Sequence, residues 1–331
     1  MNSIEHPFAK FVRLLGKGKN GSRSLTLEEA RESMEMILDN KVEPEQLGAF
    51  LMLLRLKEET PDELAGFASA ARSHSPPPKD LKVDIDWSTY AGKKRQLPWF
   101  LLTAFVLSEN GYRIFMHGAK GHTEGRIYTE DALKLFNLNA ANSWQDVSLQ
   151  LDKCNFSYMP IEGISPVLAR IINLRNILGL RSPVHTLCRL LNPLMANLTV
   201  DGVFHPPYAP IHQKTSQMLG TTNSITIRGD GGEAECKPDS DTEIHWIEQG
   251  ELNISTWPRL VKRRLVKPDY LELEHLKDVW NGDEKDDYGE GAVISTLAAI
   301  LKVVEAEPLE SYESKVKRAE SMWNNRNKLR I

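Results

Sequence analysis

The sequence predicts an α/β protein in which an all-helical N-terminal segment precedes a longer region of alternating strands and helices. Residues 1–75 carry apolar residues at helical spacing and several helix-start signals. Beyond them, short apolar runs alternate with helical stretches, which is the pattern of an α/β domain. A chain of 331 residues is long enough for two domains and a large core.

The helix-start signals divide the N-terminal segment. Thr26 precedes a helical run with Glu29 three residues later, and Thr60 precedes another with Glu63, so both predict capping boxes. Pro44 opens the helix between them, because its fixed φ and missing N–H are tolerated in the first turn. Nothing in these helices indicates catalysis.

Three prolines in residues 75–79 favour a stiff, extended segment, which predicts a hinge between two domains or a plain loop. A strand is predicted to end near Ile85 or Asp86, and a helix to start near Pro98. A second strand is expected to lead into a loop within residues 111–125. Further strands are predicted at 156–159, 198–203 and 223–228, and further helices at 129–136, 143–152, 271–280, 292–305 and 310–327.

The stretch 164–193 combines a helical apolar stripe with an unusual number of cations. Gly179 suits a helix stop, because glycine adopts a left-handed conformation without a Cβ clash. The guanidinium group presents a fork of donors that suits phosphate or carboxylate. The cations therefore predict either an anion-facing wall or a solvated helix face; they are Arg170, Arg175, Arg181, His185 and Arg189.

Two segments, LLRLKEETPDELAGFASAAR and LARIINLRNILGLRSPVHTLCRLLNP, resemble the anthranilate phosphoribosyltransferases. The second matches that family at Arg175, Leu178, Gly179, Arg181, Leu190, Asn192 and Pro193. The resemblance runs from about residue 8 to 235, and more loosely to the end. It implies a small all-helical N-terminal domain plus a larger α/β domain with a central mixed sheet flanked by helices. Residues 1–75, joined in space by helices from about 163–190, form the first, and 80–331, interrupted by those helices, form the second.

The resemblance also locates a phosphate loop, which reads WSTYAG at residues 87–92 where the family has Gly-Thr-Gly-Gly-Asp-Gly. Only the last glycine remains, and three cations follow it. We expect anions to be bound here through side chains, with aromatic faces and cations suiting single-stranded nucleic acid. In the alternative, Trp87 and Tyr90 pack inside and the basic run is exposed. The candidate residues are Ser88, Thr89, Gly92, Lys93, Lys94 and Arg95.

Two further family motifs are only partly matched. His117 and Gly118 match a Lys-His-Gly-Asn-Arg motif, so His117 is either an acid–base group or a hydrogen-bonded structural histidine. Glu233 stands at the first position of the Asp-Glu pair that binds magnesium in the enzymes, and Ala234 at the second. We expect no certain cofactor: Glu233 is a weak metal candidate beside the alternative of an acidic hairpin facing water. Magnesium is expected only if transferase activity is retained.

Basic residues extend beyond the central stretch. The loop GKGKNGSRS resembles the YbiB-like branch of the family, which is associated with nucleic-acid binding as a dimer. Lys17, Lys19 and Arg23 in this loop, with Arg189, form the predicted nucleic-acid patch, and a solvated turn is the alternative. The basic run 259–267 either contacts phosphate or pairs with the acidic run 283–287.

Composition sets the remaining limits. The net charge of −4 excludes a polycation, so nucleic-acid binding requires a local basic patch. Three widely spaced cysteines argue against a disulfide framework and suit the reducing cytoplasm. No signal peptide or bilayer-spanning run is evident, so we expect a cytoplasmic protein without a membrane partner.

These observations lead to two hypotheses. The first is a homodimer, paired through its helical domain as the resemblance implies, that binds single-stranded nucleic acid or another phosphate-bearing ligand. The second is an active glycosyl or phosphoribosyl transferase that uses a sugar-phosphate donor on an unidentified acceptor, anthranilate not being the expected one. Fold alone does not decide between them.

Overall fold

The N-terminal region is a bundle of four helices in the computed structural model, which describes residues 5–119, 121, 123–266, 268, 270–305 and 311–329. Both predicted capping boxes are confirmed: the Thr26 hydroxyl accepts from the Glu29 N–H at 3.2 Å, and the Glu29 carboxylate accepts from the Thr26 N–H at 2.9 Å. Thr60 and Glu63 repeat the arrangement. The helices are α1 Ala9–Gly16, α2 Leu27–Leu38, α3 Pro44–Lys57 and α4 Pro61–His74.

The larger region is built on one mixed sheet, as expected. Its seven strands lie in the order β3-β2-β1-β4-β5-β6-β7; the first five are parallel, and β6 and β7 are antiparallel. The carboxyl ends of the parallel strands therefore share one edge, where ligands usually bind in such sheets. The strands are β1 Ile85–Thr89, β2 Ile114–Gly118, β3 Phe156–Pro160, β4 Leu198–Val203, β5 Asn223–Arg228, β6 Thr242–Glu248 and β7 Glu251–Trp257.

Helices cover both faces of the sheet and form two hydrophobic cores. One core joins the sheet to the helices at residues 100–109, 275–281 and 287–304 and contains Trp87 and Trp280. The other joins the four-helix bundle to residues 161–196 and contains Phe50 and Leu168. The remaining helices are α5 Phe100–Glu109, α6 Thr129–Leu135, α7 Trp144–Cys154, α8 Ile161–Ile164, α9 Pro166–Asn173, α10 Arg175–Leu178, α11 Val184–Leu187, α12 Tyr208–Met218, α13 His275–Asn281, α14 Asp287–Val304 and α15 Tyr312–Asn324.

The structure corrects two expectations and adds one element. The helix expected within residues 164–178 is divided, because Ser165 caps α9 with Pro166 at its first position and α10 is separate. The strand expected to end near Ile85 or Asp86 continues to Thr89. The hairpin of β6 and β7 was not predicted. The helix stop at Gly179 is confirmed by a φ of +75°.

None of the described helices is both long and apolar enough to cross a membrane.

Candidate anion-binding cleft

The residues that stand in place of the family's glycine loop begin inside a strand. Ser88 and Thr89 are the last two residues of β1 and are buried, and the Thr89 hydroxyl accepts from the Thr129 hydroxyl at 2.9 Å. Trp87 packs against Phe100 in the core with its ring centroid 6.1 Å away. The packing alternative thus holds for the aromatic residues here, since Tyr90 is buried as well.

His117 is held from both sides within the sheet. Its Nδ1 lies 2.8 Å from the Tyr90 hydroxyl, and its Nε2 lies 3.1 Å from the Asp86 carboxylate. The next residue, Gly118, has no room for a side chain, because a Cβ would lie 2.1 Å from the Thr89 carbonyl oxygen. Since both ring nitrogens are engaged below the surface, the contacts favour the structural role for His117.

The backbone amides of the loop after β1 point at a carboxylate of the same chain. Glu233 Oε1 accepts from the Ala91 N–H at 2.7 Å and from the Gly92 N–H at 2.5 Å. Burial raises the pKa of Glu233, and the nearby Arg189 opposes that rise. The expectation of acidic residues facing water is wrong for Glu233, which is only 2% exposed. An internal carboxylate therefore occupies the donors that a bound anion would use.

A second internal carboxylate lies beside the first. Glu235 accepts from the Lys93 ammonium at 2.5 Å and from the N–H of Phe100, the first residue of α5, at 2.8 Å. Burial raises the pKa of Glu235, and the Lys93 charge opposes that rise. Lys93 is 1% exposed, so it differs from its neighbours Lys94 and Arg95, which reach solvent. The exposed basic patch predicted at 93–95 is thereby reduced to Lys94 and Arg95.

Arg126 links the loop after β1 to the turn that contains Gly231. Its Nη1 donates to the carbonyl oxygens of Ala91, Gly92 and Gly231 at 2.8, 3.0 and 3.2 Å. Gly231 has a φ of +70°, and a Cβ there would lie 2.5 Å from the Gly92 carbonyl oxygen, so the turn requires glycine. The contact leaves no gap for a ligand between the two loops at this point.

An open cavity of about 300 Å³ lies next to this closed contact. It lies between α3 of the helical bundle and the carboxyl end of β4, and the segment 181–189 forms another wall. Four arginines contribute to its lining: Arg55, Arg126, Arg181 and Arg189. A carboxylate, Glu59, also lines it and accepts from the Thr186 hydroxyl at 2.6 Å.

Arg181 and Arg189, which line the cleft, donate to neutral groups. Arg181 donates to the Thr123 hydroxyl at 3.0 Å, and Arg175 donates to the same hydroxyl at 2.7 Å. Arg189 donates to the carbonyl oxygen of His185 at 2.7 Å. Burial, together with repulsion from Arg126, Arg189 and Arg175, lowers the pKa of Arg181 to about 10. Glu59 and Glu233 offset part of the positive charge of these arginines, and a bound anion would offset more of it.

The predicted cations divide into those near the cleft and those elsewhere. Arg181 and Arg189 line the cavity. Arg175 and Arg181 both donate to the Thr123 hydroxyl. Arg170 is exposed and donates to the Asn40 side chain at 3.4 Å. Lys17, Lys19 and Arg23 lie in the loop after α1, where Arg23 forms a salt bridge with Glu29. That loop does not line the cavity, so the predicted patch remains a prediction.

Sequence reasoning missed Arg55, Arg126 and Phe204, which all line the cavity. It also missed a buried pair in which His212 Nδ1 lies 2.6 Å from the Asp201 carboxylate. The segment FHPPYAPIH carried a visible signal, because two histidines and two aromatic residues follow a predicted strand within nine residues. Arg55 and Arg126 carried none, since only the fold brings them to the segment 181–189.

The basic run 259–267 is largely paired with acidic residues. Arg259 lies 3.0 Å from Asp241, and Arg263 lies 3.8 Å from Asp287 of the predicted acidic run. Arg264 lies 3.9 Å from Asp239, and Lys267 falls outside the described residues. The contacts favour ion pairing over phosphate binding for these three arginines.

Over the described ranges, no group of three or more histidine, cysteine or acidic side chains is arranged to hold a metal ion. The three cysteines are free thiols. Burial raises the pKa of the Cys236 thiol to about 12, with Thr296 opposing that rise. Neither feature indicates a metal or redox centre.

Comparison with known proteins agrees with this architecture. Residues 12–75 match the helical bundle domain of the glycosyl transferase family. The chain is 26% identical over 252 residues to the uncharacterized protein YbiB of Escherichia coli, covering 75% of this chain and 78% of that protein. It is 25% identical over 236 residues to an anthranilate phosphoribosyltransferase of Oceanobacillus iheyensis, covering 71% and 69%.

Two solved structures show the same fold. The anthranilate phosphoribosyltransferase of Thermus thermophilus superposes with a TM-score of 0.77 at 21% identity, covering 96% of this chain and 94% of that one. The Saccharomyces cerevisiae enzyme in complex with PRPP and Mg superposes with a TM-score of 0.78 at 16% identity, covering 99% and 96%. At these identities the likeness concerns the fold alone.

Proposed function

Because this chain belongs to the anthranilate phosphoribosyltransferase-like glycosyl transferase family, we propose that it binds single-stranded nucleic acid through the arginine cleft. The carrying observation is the set of arginines around the cavity, one of which has its pKa lowered by burial and by the neighbouring guanidinium groups. A phosphodiester would supply a negative charge to Arg181, which donates to the neutral Thr123 hydroxyl.

The shape of the cleft supports a single strand as the ligand. A cavity of about 300 Å³ accommodates a group of roughly nucleotide size, whereas a double helix is too wide to enter it. A flexible strand can place one phosphate among the guanidinium groups and continue along the exposed surface. Phosphate contacts of this kind dominate the affinity of non-specific binding and make it salt-dependent.

The arrangement around Glu233 supports binding over transfer. A magnesium-bound diphosphate requires free amide donors and oxygen ligands for the metal. Here the Glu233 carboxylate is bonded to Ala91 and Gly92, Glu235 is paired with Lys93, and Ala234 offers no side-chain oxygen. These residues do not fit such a group, and charge developing on a departing diphosphate would lack stabilisation.

The test is the salt dependence of binding to a fluorescent oligothymidylate, measured by polarisation. For single strands the slope of log K against log [salt] is about −0.7 per neutralised phosphate. We expect Arg181→Ala/Arg189→Ala to flatten the slope by about 1.4 and to weaken binding about 10- to 100-fold.

The control variant is Arg31→Ala/Lys41→Ala, which removes the same charge from exposed salt bridges on the helical bundle. We expect it to retain both slope and affinity. Equal losses in the two double variants would mean that the overall charge, not the cleft, governs binding. A clear 1:1 calorimetric isotherm with PRPP and magnesium would instead favour the transferase.

The proposal includes a homodimer paired through the helical domain and a cytoplasmic location. The three free thiols suit a reducing compartment. Sedimentation equilibrium of the full chain decides the oligomeric state.

A further inference from the structure

We propose that the exposed ring of Phe204 is a stacking platform for an unpaired nucleobase whose phosphate lies in the arginine cleft. The proposal rests on the proposed function and defines the ligand more narrowly. The phosphate-binding arginines would accept any polyanion, whereas an aromatic platform beside them requires a ligand with a planar base.

The position of Phe204 supports this role. It directly follows Val203, the last residue of β4, and lies at the carboxyl edge of the sheet. Val203 is 4% exposed, whereas Phe204 is 54% exposed and lines the same cavity as Arg181 and Arg189. A large apolar side chain left in solvent at the mouth of a cationic cavity serves no core.

The ring is also held in place before any ligand arrives. The His205 ring packs against it in a T-shaped arrangement, with the centroids 4.9 Å apart and the planes at 88°. Pro206 and Pro207 follow and fix the backbone. On the other side lies Gly232, whose φ of +98° favours glycine, and a Cβ there would be in ordinary van der Waals contact with the Phe204 Cβ at 3.4 Å. A pre-positioned ring loses little entropy on binding.

The turn at residues 229–233, which contacts the loop after β1, also helps to position Phe204. Gly229 donates its N–H to the Val203 carbonyl oxygen at 3.2 Å, which ties the turn to the end of β4. The same turn carries Gly231 and Gly232 and leads to Glu233. The turn that carries Glu233 to the amides of Ala91 and Gly92 thus also supports Phe204 beside the cavity.

Stacking on an aromatic side chain contributes about 1–3 kcal/mol per base and tolerates any sequence, because every base has a π-face. The test compares two ligands of equal length, an oligothymidylate and an abasic oligonucleotide that keeps the phosphodiester chain. We expect Phe204→Ala to weaken oligothymidylate binding about 5- to 150-fold, the factors that correspond to this range, and to change abasic binding less than about twofold. Phe204→Trp, which keeps a stacking surface, should retain the wild-type affinity.

Three results would overturn the proposal, and they differ from a failure of the proposed function. Equal weakening for both ligands in Phe204→Ala would show that the ring only supports the fold, and unchanged binding would show that it makes no contact. If a Phe204→Leu variant binds oligothymidylate like wild type, the contact is an apolar one and does not depend on stacking. If the wild-type chain binds neither ligand, the proposed function itself fails.

Discussion

Replacing Glu233 by alanine would free two backbone N–H donors that the Glu233 carboxylate now engages and that could bind an anion. The carboxylate accepts from two buried amides, those of Ala91 and Gly92. Its removal leaves both donors without that acceptor and opens a volume the size of the lost carboxylate. The variant should therefore be less stable than wild type and should bind small anions that wild type does not.

The magnitude follows from the two bonds. A hydrogen bond to a charged group contributes about 1.5–3 kcal/mol, so two give about 3–6 kcal/mol. The raised pKa of Glu233 shows that burying the carboxylate offsets part of this, so we expect a loss of about 3 kcal/mol. For 331 residues the entropy of unfolding is about 0.7 kcal/mol per kelvin, and Tm should fall by about 4 °C.

The assay is thermal unfolding with and without inorganic phosphate. An anion in the vacated position stabilises the folded state by RT ln(1 + [L]/Kd), which is about 2.7 kcal/mol at a hundred times Kd. Phosphate should therefore restore most of the lost Tm in Glu233→Ala. Glu233→Gln, which still fills the position and offers a carbonyl oxygen, should lose less and should show no extra response to phosphate.

The matched control is Glu251→Ala, because Glu251 is an exposed acid on β7. Its Tm and its response to phosphate should equal those of wild type. A Glu233→Ala variant with wild-type Tm, or one that phosphate stabilises no more than wild type, would refute the assignment of Glu233 as an internal substitute for the anion.

Two further predictions concern the neighbouring carboxylates. Lys93→Met leaves Glu235 buried without its counter-charge and should lower the free energy of unfolding by about 3–5 kcal/mol. The double variant Lys93→Met/Glu235→Gln should recover much of that loss. Equal losses for the two variants in urea unfolding would show that Lys93 and Glu235 are not coupled. Because burial raises the pKa of Glu233 above 4.5, the pH-dependent part of its contribution to stability is complete below that pH and is lost as pH rises through the raised value, while its hydrogen bonds to Ala91 and Gly92 remain. The difference in unfolding free energy between Glu233→Gln and wild type should therefore shift in favour of the variant as pH rises, and a constant difference would contradict the raised pKa.

The parts of the fold that the sequence predicted correctly are those encoded locally. The capping boxes at Thr26 and Thr60 and the helix stop at Gly179 depend on residues within one or two turns. The strands at 198–203 and 223–228 are short apolar runs between turn signals. Each of these features is visible without knowledge of the partners in space.

The end of β1 was predicted wrongly because residues 87–92 align with a loop in the family. Trp87 and Thr89 belong to the aromatic and β-branched types that favour strands, and this local preference is what the structure follows. The β6–β7 hairpin could also have been predicted from the sequence, since a Gln249-Gly250 turn separates two runs of strand-forming residues.

The closed contact at Glu233 could not be predicted from spacing. Its amide partner Ala91 lies 142 positions away in the sequence, and Arg126 meets Gly231 across 105 positions. The sequence shows that the family's motifs are altered, but not that the altered residues bond to one another. The same holds for the cleft, where Arg55 comes from the helical bundle and Arg181 from the segment after α10.

Binding in the arginine cleft is tested most directly by a crystal structure of the chain with a short oligothymidylate. We expect a phosphate beside Arg181 and Arg189, with Glu233 still bonded to the amides of Ala91 and Gly92. A phosphate bonded to those two amides, with the Glu233 side chain displaced, would contradict it.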